Sequence, residues 1–136
     1  MAAICIADAE RVVQAAKAMA LEMGVKVGIS VVDPRGDLVC MVRLDGAPWR
    51  TPIVSRGKAQ ASACFGVPSG QLTDRSMTPV MRAMMHFEGG GFIPGQGALP
   101  IMRQGELIGA IGVSGGTSQQ DEDVAQAGLK ALYLAA

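Results

Sequence analysis

Between Leu99 and Gly116 the chain reads Leu-Pro-Ile-Met-Arg-Gln-Gly-Glu-Leu-Ile-Gly-Ala-Ile-Gly-Val-Ser-Gly-Gly, two apolar runs broken by Gln104-Gly105. An X-Gly pair between β-rich runs is the composition of a tight hairpin turn, so this stretch commits the fold to a pair of antiparallel strands. Gly109 and Gly112 lie inside the second run. Glycine is locally unfavourable there and marks the close approach of another backbone or of a ligand. The hairpin is preceded by Glu88-Gly-Gly-Gly-Phe-Ile-Pro-Gly-Gln-Gly. Loop and hairpin are therefore expected to form part of the core and the floor of a pocket, or else a surface on which helices or a second subunit pack closely.

The remaining elements are read outward from that hairpin. Ala7 to Met23 carries helix formers throughout, acidic residues near its start and Gly24 as its stop, with Ile6, Ala9, Val13, Ala16, Ala20 and Met23 as an apolar stripe. Lys26–Asp33 and Leu38–Leu44 form a second hairpin across Asp33-Pro-Arg-Gly-Asp37, where Arg35-Gly36-Asp37 is a solvated bend. Thr51-Pro52 has the form of an N-cap followed by proline at the first helical position, opening a helix over Ile53–Phe65 with small residues at 57, 59, 61 and 63. Gln71–His86 predicts one or two short helical pieces. Ser118-Gln-Gln-Asp121 resembles a capping box and opens a helix running to the C-terminus. Hairpins with helices before, between and after them define the α+β class.

At 136 residues, this is expected to be a single domain over 1–136. Lys plus Arg and Asp plus Glu balance at 12 each and are scattered, which argues against a nucleic-acid surface or a polybasic membrane anchor. No apolar run reaches the length of a spanning helix and no secretory leader is evident, so a cytoplasmic protein is expected. The three cysteines are widely spaced without a Cys-x-x-Cys, and they read as small buried hydrophobes rather than a disulfide or zinc framework. No cluster of His, Cys, Asp and Glu has metal spacing, and no metal site is expected.

Val31-Val32-Asp33 with Gly36 and Leu38, Arg43-Leu-Asp45-Gly46-Ala47, Lys58-Ala59, Leu99-Pro100-Ile101, Gly105-Glu106 through Gly115, and Gln120-Asp121-Glu122 together resemble the GlcG/HbpS family. This is the haem-degrading domain group that also contains the C-terminal domain of PduO-type proteins, and the resemblance spans nearly the whole chain. It implies a profilin-like fold, a five-stranded antiparallel sheet flanked by helices, and assembly into homo-oligomers. The function it implies is broader, from haem- and corrinoid-associated proteins to members of catabolic operons for small organic acids. Family members that hold haem through a histidine of the first helix have no counterpart in Ala7–Met23, and the only imidazole here is His86.

The candidate chemistry gathers in two stretches. Arg43, Arg50 and Lys58 can anchor a carboxylate, with Asp45 beside Arg43. His86 and Glu88 precede the triple glycine, where Gly90 and Gly91 can offer amide N–H groups to an anion and either side chain can move a proton. Ser114 ends the last strand and can hydrogen-bond a substrate. The reading is a small-molecule catabolic enzyme without a dedicated metal or cofactor, acting on a small unsaturated carboxylic acid by hydrolysis, deamination or tautomerisation. Glu88, His86 and Lys58 are its catalytic candidates; Arg43, Arg50, Asp45, Gly90, Gly91 and Ser114 bind the anionic substrate. The alternatives are a haem- or tetrapyrrole-binding protein and a non-catalytic oligomeric scaffold.

Overall fold

A computed structural model describes residues 2–87 and 91–135. In chain order the elements are α1 (Ile6–Met23), β1 (Gly28–Val32), β2 (Leu38–Arg43), α2 (Thr51–Phe65), a 3₁₀ helix (Ser69–Arg75), α3 (Pro79–Phe87), β3 (Ala98–Arg103), β4 (Glu106–Ser114) and α4 (Ser118–Ala135). The strands form one antiparallel sheet in the order β2-β1-β4-β3. The fold is α+β as expected, but with four strands among the described residues rather than five. Between α2 and β3, Ser69–Arg75 and Pro79–Phe87 are helical. Among the described residues the N-terminal segment makes one backbone bond to the sheet, Ile4 N–H to Ile108 O at 2.8 Å, without becoming a strand.

Strand parity sends alternate residues to opposite faces, and the two faces differ in side-chain size. Ile29, Val31, Leu99, Ile101, Ile111 and Val113 pack with α1 and α4 into the main aliphatic core. The other face carries Gly28, Ser30, Val32, Ala110 and Gly112, and α2 lies on it. Here the strand glycines find their reason. A Cβ at Gly112 would collide with the Ser55 carbonyl oxygen and come 2.8 Å from the Ala59 nitrogen, and one at Gly28 would come 2.8 Å from Thr51. Of the two expectations for Gly112, the close backbone is the one found. Ser30 Oγ and Ser55 Oγ, 2.7 Å apart, share a hydrogen bond across this interface. The small residues 57, 59, 61 and 63 of α2 are all buried.

The turns follow their chemistry. Gln104 (φ 52°) and Gly105 (φ 77°) both take positive φ, as a two-residue hairpin turn of type I′ requires. Gly24 ends α1 in the left-handed conformation, its N–H bonded to the carbonyls of Ala20 and Leu21. Two caps differ from expectation. The box at α4 is one residue earlier: Thr117 Oγ1 accepts from Gln120 N–H (3.1 Å) while Gln120 Oε1 accepts from Thr117 N–H (2.9 Å). Thr51 does not cap α2; it is buried inside the first turn and its hydroxyl donates to Pro48 O at 2.9 Å. Ile6, assigned to the buried stripe of α1, is exposed, and Val12 takes its place in the core. The cysteines are not the buried hydrophobes expected, since Cys5 and Cys64 are exposed and Cys40 is half-buried.

Candidate functional site

At one rim of the sheet, the C-terminal half of α1, the turn that follows it and the end of β2 enclose a groove of about 540 Å³. Lys17 and Leu21, four residues apart, share one face of α1. Beyond the Gly24 cap the chain reverses, with Val25 N–H bonded to Ala20 O at 3.0 Å. Leu44 N–H, bonded to Val27 O at 3.0 Å, brings Arg43, Leu44 and Asp45 alongside this turn. Gly46, at φ 82°, lies under the side chain of Lys26, where a Cβ would come within 3.0 Å of Lys26 Cδ. Glycine there lets the lysine stem lie flat and places its ammonium at the rim.

The groove pairs an apolar floor with a positive rim. Leu21, Val25, Val42 and Leu44 supply the floor; Lys17, Lys26 and Arg43 supply the charge, with Asp45 at one end. Among the described residues no carboxylate lies within 4 Å of any of these three cations, whereas Arg11, Arg35, Lys58 and Arg103 all have acidic partners. Cations left unpaired around an apolar cleft are suited to an organic anion with an apolar body, and the volume falls within the roughly 300–1,000 Å³ of small-molecule sites.

The expected site residues that fall among the described ones do not converge. Arg43 and Asp45 line the groove; Lys58 and Arg50 do not. Lys58 is buried between α2 and the sheet, its Nζ donating to Val113 O (3.0 Å) and to Asp121 Oδ2 (3.1 Å). The other Asp121 oxygen accepts Gly116 N–H at 2.8 Å. Lys58 therefore ties α2 to β4 and α4, and Gly97, where a Cβ would stand 2.8 Å from Nζ, gives it room. Arg50 is exposed, just before α2. Ser114 is buried at the end of β4 opposite Gly28. His86 is exposed near the end of α3, beside an apolar groove formed by Val80, Ala83, Met84 and Phe87. The carbonyl of Gly91 is seated on Gly57 of α2, where a Cβ would collide with it. Glu88 and Gly90 lie outside the described residues. Lys17 and Lys26 escaped the sequence reading because they are far from Arg43 along the chain. The one usable signal was Lys17, Leu21 and Gly24 falling on one helix face that ends at a glycine stop.

Fold and groove define a small α+β domain with helices on both faces of an antiparallel sheet and a basic cleft at one rim. The chain belongs to the HbpS-like family, whose model, described as haem degrading protein HbpS-like, matches residues 4–130. It is 34% identical over 139 residues to an uncharacterized 15.0 kDa protein of the dhaT–dhaS intergenic region of Citrobacter freundii, covering 95% of this chain and 92% of that one. The crystal structure of Klebsiella pneumoniae protein ORFY superposes with a TM-score of 0.89 at 28% identity, covering 98% of this chain and 92% of that one. The crystal structure of a PduOC:heme complex superposes with a TM-score of 0.85 at 27% identity, covering 95% and 94%.

These relationships overturn the expectation of an enzyme of small-organic-acid catabolism. The family is a haem-degrading one and a structural relative is solved with haem, so the haem alternative is the better reading. The expectation of no cofactor loses its support on the same ground, since a relative is solved with haem. The catalytic roles expected for Glu88, His86 and Lys58 belonged to that reaction.

Proposed function

We propose that this protein binds haem or a related tetrapyrrole, holding it by its carboxylates in the groove between α1 and β2. A haem is an apolar disc with two carboxylates on one edge. The observation that carries the reading is the set of cations without a carboxylate partner among the described residues, Lys17, Lys26 and Arg43, around a floor of Leu21, Val25, Val42 and Leu44. Arg43 is the natural bidentate partner of one carboxylate, and the lysines supply point charges for the other. Membership of a haem-degrading family and likeness to a protein solved with haem support the same ligand. When bound, haem would supply a redox-active iron.

Titration with hemin, followed by its Soret band, tests this. Binding is expected, and Arg43→Glu and Lys26→Glu are each expected to weaken it by about 10- to 100-fold, the worth of a charge-assisted hydrogen bond of about 1.5–3 kcal/mol. Absence of any spectral change would reject the ligand; unchanged affinity in both variants would reject the groove.

A further inference from the structure

We infer that the groove recognises the ring and the carboxylates of a tetrapyrrole without reading its central metal, so that a metal-free porphyrin dicarboxylate is as good a ligand as haem. This rests on the reading of the groove as a tetrapyrrole site and goes on to ask what could hold an iron there. Protein ligands to haem iron are chiefly His, Cys, Tyr and Met. None of these lines the groove.

Of the nine Met, Met23 and Met41 are chain neighbours of Gly24 and Val42, and neither lines the groove; the sequence also holds one His, three Cys and one Tyr, and all five fall among the described residues. His86 is on α3, whose Met81 packs with Ala61 of α2 in the layer across the sheet from α1. Cys64 belongs to α2, in that same opposite layer. Tyr133 is on α4, its hydroxyl accepting Met102 N–H at 3.1 Å beside β3, the edge strand farthest from β2. Cys5 precedes the first turn of α1, and at about 1.5 Å per residue the start of that helix is about 16 Å from Lys17. Cys40 comes nearest, two residues before Val42 on the same face of β2. It does not line the groove, and burial, with the Glu10 carboxylate nearby, pushes its thiol above the ordinary range. A protonated thiol is a poor metal ligand. The lysine ammonium groups at the rim are donors only and have no lone pair to give a metal. What the groove does offer, positive charge and apolar surface, addresses the parts of the ligand that are the same whether or not iron is present.

The test compares hemin, metal-free protoporphyrin IX and protoporphyrin IX dimethyl ester on the full chain, by Soret absorbance for the first and porphyrin fluorescence for the others. Hemin and protoporphyrin are expected to bind within about threefold of each other and the ester at least about tenfold more weakly. Arg43→Gln should weaken hemin and protoporphyrin by the same factor, while His86→Ala and Cys40→Ser leave their ratio unchanged. Hemin binding more than about tenfold tighter than protoporphyrin, or a hemin preference that vanishes in His86→Ala or Cys40→Ser, would overturn the inference and leave the tetrapyrrole reading standing. Ester binding equal to that of the free acid would overturn recognition through carboxylates. Failure of all three ligands to bind would overturn both readings.

Discussion

At the scale of single residues, Lys58 shows how far a sequence can mislead about a charge. A lysine between small residues on a helix is compatible with a solvated face or with a reactive amine. Only the fold shows its ammonium buried against Asp121 and the Val113 carbonyl, because Asp121 lies 63 positions further along the chain. Their side chains retain 10% and 3% of their exposure, so removing one partner leaves the other charge buried without compensation. Lys58→Met is expected to destabilise the protein by about 3–5 kcal/mol in urea unfolding, and adding Asp121→Leu should recover much of that loss. A cost under about 1 kcal/mol would show that the pair is solvated. The hairpin turn, by contrast, was legible. Gln104 is the one described non-glycine residue with positive φ, and asparagine tolerates that conformation better. Gln104→Asn should therefore raise stability by about 0.5–1 kcal/mol, read as a higher denaturation midpoint at unchanged slope.

At the scale of elements, helix and strand positions followed from periodicity and composition, because apolar stripes and glycine stops are local signals. Caps were less legible. Thr117 and Ser118 are adjacent hydroxyl residues, and the choice between them depends on which frame lets Gln120 reach back and Asp121 turn inward to Lys58. The meaning of the β4 glycines was half legible: glycine inside an Ile/Val run implied a close neighbour at Gly112 without identifying it as α2. Gly112→Ala is expected to push α2 away from the sheet and to cost about 1–3 kcal/mol or more by overpacking. Gly105→Ala has open space around it and should cost only the left-handed strain of about 1–2 kcal/mol. Thermal unfolding of the two variants checks this, and a Gly112→Ala protein as stable as wild type would mean that α2 has slack.

Across the whole molecule, the groove was illegible for the same reason as the buried ion pair. Lys17, Lys26 and Arg43 come from a helix, a turn and a strand, and topology alone makes them neighbours. A second long-range link binds α1 to the far end of β3, where Arg103 Nη2 lies 3.0 Å from Asp8 Oδ2 and Arg11 adds a weaker contact. The Arg103 guanidinium holds the Asp8 carboxyl below its usual range, outweighing the opposing effect of burial. A carboxylate with a lowered folded-state pKa contributes stability that is present above the unfolded value of about 4 and is lost as pH falls through the folded value. Asp8→Asn should therefore cost about 0.2–1 kcal/mol at pH 7, with the difference from wild type disappearing towards pH 2. A constant difference across that range in pH-dependent denaturation would exclude the charge as its source.

The close seating of α2 on Gly28 and Gly112 has a consequence for cargo. Backbone pressed that near to backbone leaves no room for a ligand between α2 and the sheet at these two positions, and the groove proposed as the ligand site is instead at the margin of the sheet. Under the proposed reading, a tetrapyrrole in the groove beside Lys17, Lys26 and Arg43 would enter and leave without α2 having to move aside.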